Sequence, residues 1–204
     1  MLSLTQIMNK YGSDKGGGHH NYTSVIYEDL FNPIRNQPLN LLEIGIGTIR
    51  HDIPSSMIGT PGGYSPGSSL RGWKEFFPNG QVHGCDIDDT ILFNEDRLST
   101  FYLDQTSEES IQTQIIDKNI RYDVIIDDGL HDFKVNWAVL KQLYPVLKSP
   151  GIYIIEDIGD FDSNLFYNDP FYTHLMNNGV YCQYLQIDNP SNTSDNNIVL
   201  LRKK

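Results

Sequence analysis

Apolar residues recur at helical spacing in two stretches near the start of the chain. The first begins with Ser3 and Gln6, which fit a capping box, and reaches Gly12, a residue suited to end a helix. The second covers 23–34, and the prolines near its end disfavour further helix. The pattern therefore predicts two N-terminal helices within residues 1–38.

After these helices, short apolar runs typical of strands alternate with amphipathic stretches typical of helices. Seven strands are predicted, at 39–46, 81–87, 100–103, 122–126, 151–155, 183–187 and 198–201. Helices are predicted over 106–118, with Thr106 and Glu109 as a capping box, and over 136–147. This alternation favours an α/β doubly wound sandwich with a mostly parallel sheet, and the polar stretch 189–197 fits the loop of a C-terminal antiparallel hairpin.

One connection is much longer than the others. Residues 48–69 are rich in glycine and proline and have no clear periodicity. They directly follow the first predicted strand, at the carboxyl edge where open α/β sheets bind ligands. We therefore expect this segment to be a lid over an active site.

Composition narrows the class of protein. The chain has 204 residues and a formal net charge of −11, which fits one domain spanning 1–204 and disfavours a nucleic-acid partner, whose phosphates repel an acidic protein. No apolar run approaches the ~20 residues of a membrane span and no secretory leader is evident, so a cytoplasmic protein without a membrane partner is expected. Cys85 and Cys182 are predicted to be small core residues.

The first predicted strand ends in a turn that contains Gly45 and Gly47. A glycine turn after a buried strand lets the backbone approach a ligand closely. The turn departs from the pyrophosphate-binding glycine fingerprint at Arg50, which disfavours a hydride-transfer enzyme. Glu43, just before the turn, suits a ligand that carries an ammonium group.

The next two strands also end in polar residues. Asp86 closes the second strand, where an acid can accept hydrogen bonds from ribose hydroxyls. Asp104 and Gln105 close the third, where they fit contacts with an adenine amino group, although an acid at this position also caps helices. Together with the glycine turn, these residues predict an adenosine-binding site.

The fourth and fifth strands end in acids. Asp127 and Asp128 follow the fourth strand, Glu156 and Asp157 follow the fifth, and His131 is the one histidine expected near them. So many like charges at one sheet edge are costly unless a cation or hydrogen bonds compensate. Mg²⁺ with oxygen ligands fits best, with His131 as the base that accepts a hydroxyl proton. Helix capping by the acids and a solvent-facing loop histidine are the competing interpretations.

Ordered motifs along most of the chain match one known family. The matching segments are Tyr11-Gly12-Ser13-Asp14-Lys15-Gly16, His20-Asn21-Tyr22 with Tyr27, Leu42-Glu43-Ile44-Gly45-Ile46-Gly47, Ser69-Leu70-Arg71-Gly72-Trp73, Phe76-Phe77-Pro78, Gly84-Cys85-Asp86-Ile87, Asp104-Gln105, Ile126-Asp127-Asp128-Gly129-Leu130-His131 and Ile155-Glu156-Asp157. On these segments the chain resembles metal-dependent class I S-adenosylmethionine-dependent methyltransferases of sugar hydroxyls. The family includes macrolide-sugar O-methyltransferases and relatives from bacterial surface-polysaccharide gene clusters.

The resemblance implies a Rossmann-like class I methyltransferase fold, S-adenosylmethionine and Mg²⁺ as cofactors, and roles for particular residues. The residues implied for the methyl-donor pocket are Glu43, Gly45, Ser69, Asp86, Asp104, Gln105 and Asp127. The implied metal ligands are Asp128, Glu156 and Asp157, with His131 as general base and Asp128 beside it in catalysis.

Two departures from the family bear on the acceptor, which is expected to be a small molecule. Leu130 stands where the family often has a serine, which alters the acceptor pocket. The macrolide enzymes carry a long additional N-terminal domain, whereas two helices precede the first strand here, which favours a sugar or surface-glycan precursor. A metal-independent methyltransferase and a noncatalytic adenosine-ligand binding protein are the alternatives, and the oligomeric state, a homo-oligomer included, is left open.

Overall fold

The computed structural model describes residues 1–55, 57–58, 64–159 and 163–204. Its strands are β1 (Asn40–Ile44), β2 (Gln81–Asp86), β3 (Asn94–Glu95), β4 (Leu98–Tyr102), β5 (Tyr122–Asp127), β6 (Leu147–Ile158), β7 (Tyr181–Leu185) and β8 (Asn197–Lys203). Its α-helices are α1 (Leu4–Tyr11), α2 (Glu28–Phe31), α3 (Ser68–Phe76), α4 (Glu108–Gln114), α5 (Phe133–Leu143), α6 (Ser163–Asn168) and α7 (Pro170–Asn177). A π-helical turn, Thr23–Tyr27, leads into α2, and a 3₁₀ turn, Asn32–Ile34, follows it.

The described strands form one sheet in the order β3-β4-β2-β1-β5-β6-β8-β7. The strands from β4 to β6 in this order run parallel, whereas β3 and the β7–β8 hairpin are antiparallel to their neighbours. The mostly parallel sheet and the terminal hairpin predicted from the sequence are confirmed. The prediction of seven strands misses β3, because two residues are too few to show a periodic pattern.

Both faces of the sheet are buried. Leu42 and Ile125 pack into the apolar cluster on one face, and their neighbours Leu41 and Val124 pack into the cluster on the other. This explains why the central strands are continuous apolar runs. Both cysteines are buried and free, as predicted. Among the described residues, no helix is both long and apolar enough to cross a membrane.

Local capping explains where most helices begin and end. In α1 the capping box of Ser3 with Gln6 and the left-handed Gly12 are both present, as predicted. Helix α5 begins three residues earlier than the predicted 136–147, because the Asp132 side chain accepts hydrogen bonds from the backbone N–H groups of its first turn. Helices α3, α6 and α7 were not predicted.

The predicted capping box of Thr106 with Glu109 is wrong. Thr106 donates its backbone N–H and its hydroxyl to Asp104 Oδ1 instead. Ser107 then caps α4 by accepting a hydrogen bond from the backbone N–H of Ser110.

The predicted lid at 48–69 falls partly outside the described residues, because 56 and 59–63 are not among them. At its C-terminal end, the Tyr64 hydroxyl donates a hydrogen bond to the Ile46 carbonyl oxygen at 3.1 Å. At its N-terminal end, the Ser55 hydroxyl donates to the Thr48 carbonyl oxygen at 2.6 Å. The described part of this segment thus packs against the glycine turn, while its role as a lid stays a prediction.

Candidate donor and metal site

Two glycines bring the turn after β1 close to neighbouring groups. Gly45 and Gly47 have φ values of 84° and 78°, in the left-handed region that other residues rarely adopt. A Cβ at Gly45 would lie 2.1 Å from the Asp128 carbonyl oxygen, and a Cβ at Gly47 would lie 2.6 Å from the Tyr64 ring. Glycine is therefore required for the ends of β1 and β5 to approach each other here.

A cavity of about 310 Å³ opens at the carboxyl ends of β1, β2, β4 and β5. The sequence-predicted site residues that line it are Gly45, Gly47, Ser69, Asp86, Gln105, Asp128 and His131. Apolar side chains, Ile87 and Leu103 among them, complete its wall. Such a mixture of apolar wall and a few polar groups is typical of a small-molecule site.

Asp86 and Gln105 are held in position by backbone groups. Asp86 accepts hydrogen bonds from the backbone nitrogens of Ile46 at 2.9 Å and Asp88 at 3.0 Å. Gln105 Oε1 accepts one from the Leu130 nitrogen at 2.8 Å. The carboxylate and the amide are thereby fixed at the wall of the cavity, where remaining acceptor positions can meet ribose hydroxyls and an adenine edge.

Three acids predicted for the donor pocket, Glu43, Asp104 and Asp127, are not among the residues that line the cavity. Asp104 Oδ1 accepts hydrogen bonds from the backbone N–H and hydroxyl of Thr106 in the turn before α4, and the helix itself is capped by Ser107. Asp127 is fully buried and accepts hydrogen bonds from Asn136 Nδ2 at 3.0 Å and from the Tyr153 hydroxyl at 3.4 Å. Burial raises the pKa of Asp127 to about 7. Asp127 Oδ1 also accepts a hydrogen bond of 3.5 Å from Nε2 of the cavity-lining Gln105, so Asp127 supports the cavity wall from behind while its neighbour Asp128 lines the cavity.

Glu43 is a buried carboxylate, and neither of its oxygens has a hydrogen-bond partner among the described residues. Lys15 Nζ lies 3.7 Å from its Oε1. Burial raises the pKa of Glu43 to about 8, although the charge of Lys15 opposes this shift. A buried acid whose nearest cation lies 3.7 Å away can still accept a hydrogen-bonded partner, so this site fits a ligand that brings an ammonium group, such as the methionine part of S-adenosylmethionine.

Asp128, His131 and Asp157 meet at one point. His131 Nε2 lies 3.2 Å from Asp128 Oδ1 and 3.4 Å from Asp157 Oδ2, and one ligand atom of each residue lies within 4.8 Å of the others. Two carboxylate oxygens that face a common point fit a hard divalent cation. His131 and Asp157 also have positive φ values of 56° and 54°, a strained conformation that clusters at functional sites.

The charge of His131 depends on these two acids. Burial by itself lowers the pKa of His131, but the hydrogen bond and charge of Asp128, with the charge of Asp157, outweigh burial and raise this pKa to about 9. With both carboxylates facing it, the imidazole holds a proton at neutral pH. A positive charge placed on the acids would shift the His131 pKa back toward its ordinary value.

Glu156 is held by other groups of the protein. Its Oε1 accepts a hydrogen bond from the Tyr27 hydroxyl, and its Oε2 accepts one from Lys15 Nζ. Lys15 Nζ also lies 2.5 Å from Asp128 Oδ2. Burial opposes the charge of Lys15, but Asp128, Glu156 and Glu43 together raise its pKa well above the usual value. The cluster of acids therefore contains a lysine cation.

Sequence reasoning gave no role to Tyr27, which contacts Glu156, or to three other residues that contact the acids, namely Lys15, His20 and Tyr22. His20 Nδ1 lies 3.4 Å from Asp157 Oδ1, so the expectation that His131 is the one histidine near the acids is wrong. The Tyr22 hydroxyl donates to the same oxygen at 2.7 Å. All four belong to the N-terminal motifs that carry the family resemblance, and those motifs were the signal available in the sequence.

The sheet order, the glycine turn and the cavity at the carboxyl edge define the class I S-adenosylmethionine-dependent methyltransferase fold. A structure of the MycE methyltransferase from the mycinamycin biosynthetic pathway, in complex with Mg, SAH and mycinamycin VI, shares this fold. It matches with a TM-score of 0.72 and 25% identity, over 99% of this chain and 54% of that chain.

Curated relatives identify the branch of the class. The 8-demethyl-8-alpha-L-rhamnosyl tetracenomycin-C 2'-O-methyltransferase of Streptomyces olivaceus is 35% identical over 155 residues, or 76% of this chain and 37% of the relative. The mycinamicin VI 2''-O-methyltransferase of Micromonospora griseorubida is 34% identical over 155 residues, or 76% of this chain and 36% of the relative. No protein-family profile matches the chain. The chain is thus a homologue of sugar O-methyltransferases and spans little more than a third of the length of these relatives.

Proposed function

We propose that the chain is an S-adenosylmethionine-dependent, divalent-metal-assisted O-methyltransferase that acts on a hydroxyl of a small molecule, a sugar or a surface-polysaccharide precursor. The observation that carries this proposal is the continuity of the two sites, because Asp128 and His131 line the donor-type cavity and also meet Asp157. The names of the relatives specify methylation of sugar hydroxyls, which supports a sugar acceptor. The net charge of −11 supports a small molecule over nucleic acid.

For the donor, we assign four polar groups in and beside the cavity to parts of S-adenosylmethionine. Asp86 is proposed to bind the ribose hydroxyls and Gln105 the adenine edge. Ser69 in the cavity wall, together with Glu43 beside the cavity, is proposed to bind the methionine end. The glycine turn supplies the close backbone approach that the donor needs.

For the chemistry, we assign metal binding to Asp128 and Asp157, with Glu156 as the third ligand implied by the family resemblance. When bound, a divalent ion supplies positive charge that makes a nearby hydroxyl more acidic. His131 then has a lowered pKa and a free ring nitrogen, and it accepts the hydroxyl proton while the cavity aligns the acceptor oxygen with the methyl group. In this proposal the described residues of 1–204 act as one methyltransferase domain, since they pack around one sheet.

A metal-independent methyltransferase is the second candidate, favoured by one observation. Lys15 already places a positive charge between Asp128 and Glu156, so these acids have a compensating cation of the protein's own. In that case His131 keeps the proton that Asp128 and Asp157 stabilise and is not a base.

The test uses S-adenosylmethionine with a labelled methyl group as the donor and a panel of rhamnosides and nucleotide-activated sugars as candidate acceptors. Turnover is measured after exhaustive chelation and again after Mg²⁺ is restored, and S-adenosylhomocysteine binding is measured by calorimetry in both states. The proposal is supported if turnover is lost after chelation and recovered with Mg²⁺, while the affinity for S-adenosylhomocysteine is the same in both states. Full turnover after chelation assigns the second candidate, and donor binding without methyl transfer to any acceptor assigns a noncatalytic binding protein.

A further inference from the structure

Lys15 is a buried lysine whose ammonium lies among the carboxylates of Asp128, Glu156 and Glu43, which are called the acid cluster below. Its side chain is 3% exposed, and Nζ lies 2.5 Å from Asp128 Oδ2, hydrogen-bonded to Glu156 Oε2, and 3.7 Å from Glu43 Oε1. A buried ammonium requires paired anions to persist.

The backbone around Lys15 is fixed, so the position of the ammonium is built into the fold. Lys15 lies in the 3₁₀ turn Asp14–Gly16, which Ser13 caps. The Thr23 hydroxyl donates a hydrogen bond to the Lys15 carbonyl oxygen at 2.9 Å. The side chain thus enters the cluster from a segment that is more than a hundred residues away in sequence from the acids of β5 and β6.

The same acids serve two cations under the proposed function. Asp128 is a proposed metal ligand and Glu156 is the ligand implied by the resemblance, yet both contact Lys15. Two positive charges a few ångströms apart repel each other strongly in a buried site. A divalent ion and the ammonium therefore compete for the same negative charge.

The ammonium has a second acceptor within reach. In the described part of the chain, neither oxygen of Glu43 has a hydrogen-bond partner, and Oε1 lies 3.7 Å from Lys15 Nζ. A shift of the ammonium toward Glu43 would free Asp128 without leaving the lysine charge unpaired.

We propose that Lys15 is the internal counter-ion of the metal site: it holds Asp128 and Glu156 in place before the metal arrives and sets the metal affinity by opposing the incoming charge. This inference rests on the proposed function. Lys15 acts through the carboxylates, so it is a positioning residue and not a catalytic one.

The test measures Mg²⁺ affinity by calorimetry for the wild type, Lys15→Met and Lys15→Arg. Removing the lysine charge should raise Mg²⁺ affinity at least tenfold, because the competing cation is gone. Lys15→Arg keeps the charge and should stay within about threefold of the wild type. Lys10→Met is the matched control, because Lys10 pairs with the carboxylate of Glu75 at the surface and should leave the affinity unchanged.

A second measurement follows thermal unfolding in chelator and in saturating Mg²⁺. Lys15→Met leaves three acids without their cation, so it should melt lower than the wild type in chelator and gain more from Mg²⁺. If this variant folds only when Mg²⁺ is present, that result also supports the inference. A variant that stays unfolded at every Mg²⁺ concentration overturns it.

The two proposals fail in different ways. Wild-type protein that binds Mg²⁺ together with a folded Lys15→Met of equal or lower affinity overturns the counter-ion role and leaves the proposed function standing. Wild-type protein that binds no Mg²⁺ while Lys15→Met does supports the counter-ion role and overturns the metal-dependent function. If neither protein binds Mg²⁺, both proposals are wrong.

Discussion

The Tyr22 hydroxyl holds Asp157 at two points. It donates a hydrogen bond to Asp157 Oδ1 at 2.7 Å and accepts one from the Asp157 backbone nitrogen at 3.3 Å. Asp157 has a φ of 54°, so the tyrosine secures a strained backbone and leaves Oδ2 to face His131 at 3.4 Å. A residue of the N-terminal segment thus orients a carboxylate at the end of β6.

The first prediction concerns this contact. Tyr22→Phe should weaken Mg²⁺ binding by about 1 kcal/mol, or roughly fivefold, because Asp157 loses the hydrogen bond that orients it. S-adenosylhomocysteine affinity should not change. Tyr11→Phe is the control, since Tyr11 donates a similar bond to Glu75 at 2.8 Å on the surface. Equal Mg²⁺ affinities for the wild type and Tyr22→Phe would remove the orienting role.

The second prediction concerns Glu43. Glu43→Gln should weaken S-adenosylhomocysteine binding by at least about tenfold, because an ammonium loses its buried partner charge. Binding of 5'-methylthioadenosine, which lacks the amino-acid part, should not change. Calorimetry with both ligands separates the two cases, and equal losses for both would show that the substitution deforms the cavity as a whole.

The third prediction concerns Asp86. Asp86→Ala should weaken S-adenosylhomocysteine by ~1.5–3 kcal/mol through loss of charge-assisted bonds to ribose. Since Asp86 also accepts from the Ile46 nitrogen, some of this loss reflects a looser glycine turn. Asp89→Ala, three residues further along the chain, serves as the control. An unchanged affinity in calorimetry would refute the ribose assignment.

Part of this site can be predicted from the sequence, because it depends on the local pattern of apolar, glycine and acidic residues. A buried apolar strand followed by glycine predicts the turn at Gly45, and the acids after β5 and β6 predict a polar edge. Side-chain direction is harder to predict. Asp127 and Asp128 are adjacent, but Asp127 accepts a hydrogen bond from the buried Asn136 amide, whereas Asp128 lines the cavity. Placing both at the site requires knowing the end of β5 to within one residue.

Long-range contacts could not be predicted from spacing. Lys15 and Tyr22 lie well over a hundred residues from Glu156 and Asp157, and only the folded chain brings them together. No local periodicity marks a lysine that enters an acid cluster from a 3₁₀ turn. Likewise, Asp104 accepts hydrogen bonds from Thr106, and Ser107 caps α4 in place of Thr106. The pattern of residues alone does not decide between these two caps.

The fourth prediction concerns Asp127 and pH. Burial raises its folded pKa to about 7, above its ordinary 3.8, so its contribution to stability is present below about pH 4 and is lost as pH rises through 7. Between pH 4 and 7 the free energy of unfolding of chelated wild type should fall by on the order of a few kcal/mol relative to Asp127→Asn. Denaturant titrations at several pH values measure this difference.

Asp96→Asn is the control for this series, because the Asp96 side chain is 95% exposed. It should follow the wild-type pH dependence. Parallel pH profiles for the wild type and Asp127→Asn would mean that Asp127 ionises at its ordinary pKa despite its burial.

The fifth prediction concerns the proton on His131. In chelated protein, nuclear magnetic resonance should report a His131 pKa of about 9, because Asp128 and Asp157 stabilise the imidazolium. This charge stabilises the fold below the ordinary pKa of 6.5, and its contribution is lost as pH rises through 9. Addition of Mg²⁺ should lower the His131 pKa, because positive charge on the two acids removes the groups that hold the proton.

Catalysis gives the second readout for His131. If the imidazole accepts the hydroxyl proton, His131→Ala should lower the rate by ~10²–10⁴-fold with donor affinity intact, and the wild-type rate in Mg²⁺ should fall on acidification through the lowered histidine pKa. His174→Ala, on the surface of α7, should keep the wild-type rate and profile. A His131→Ala enzyme with wild-type turnover would move proton removal to Asp128 or to solvent. If the rate of His131→Ala still falls on acidification as the wild-type rate does, proton removal would likewise be assigned to another group. The titrating group would then be one that the substitution leaves in place.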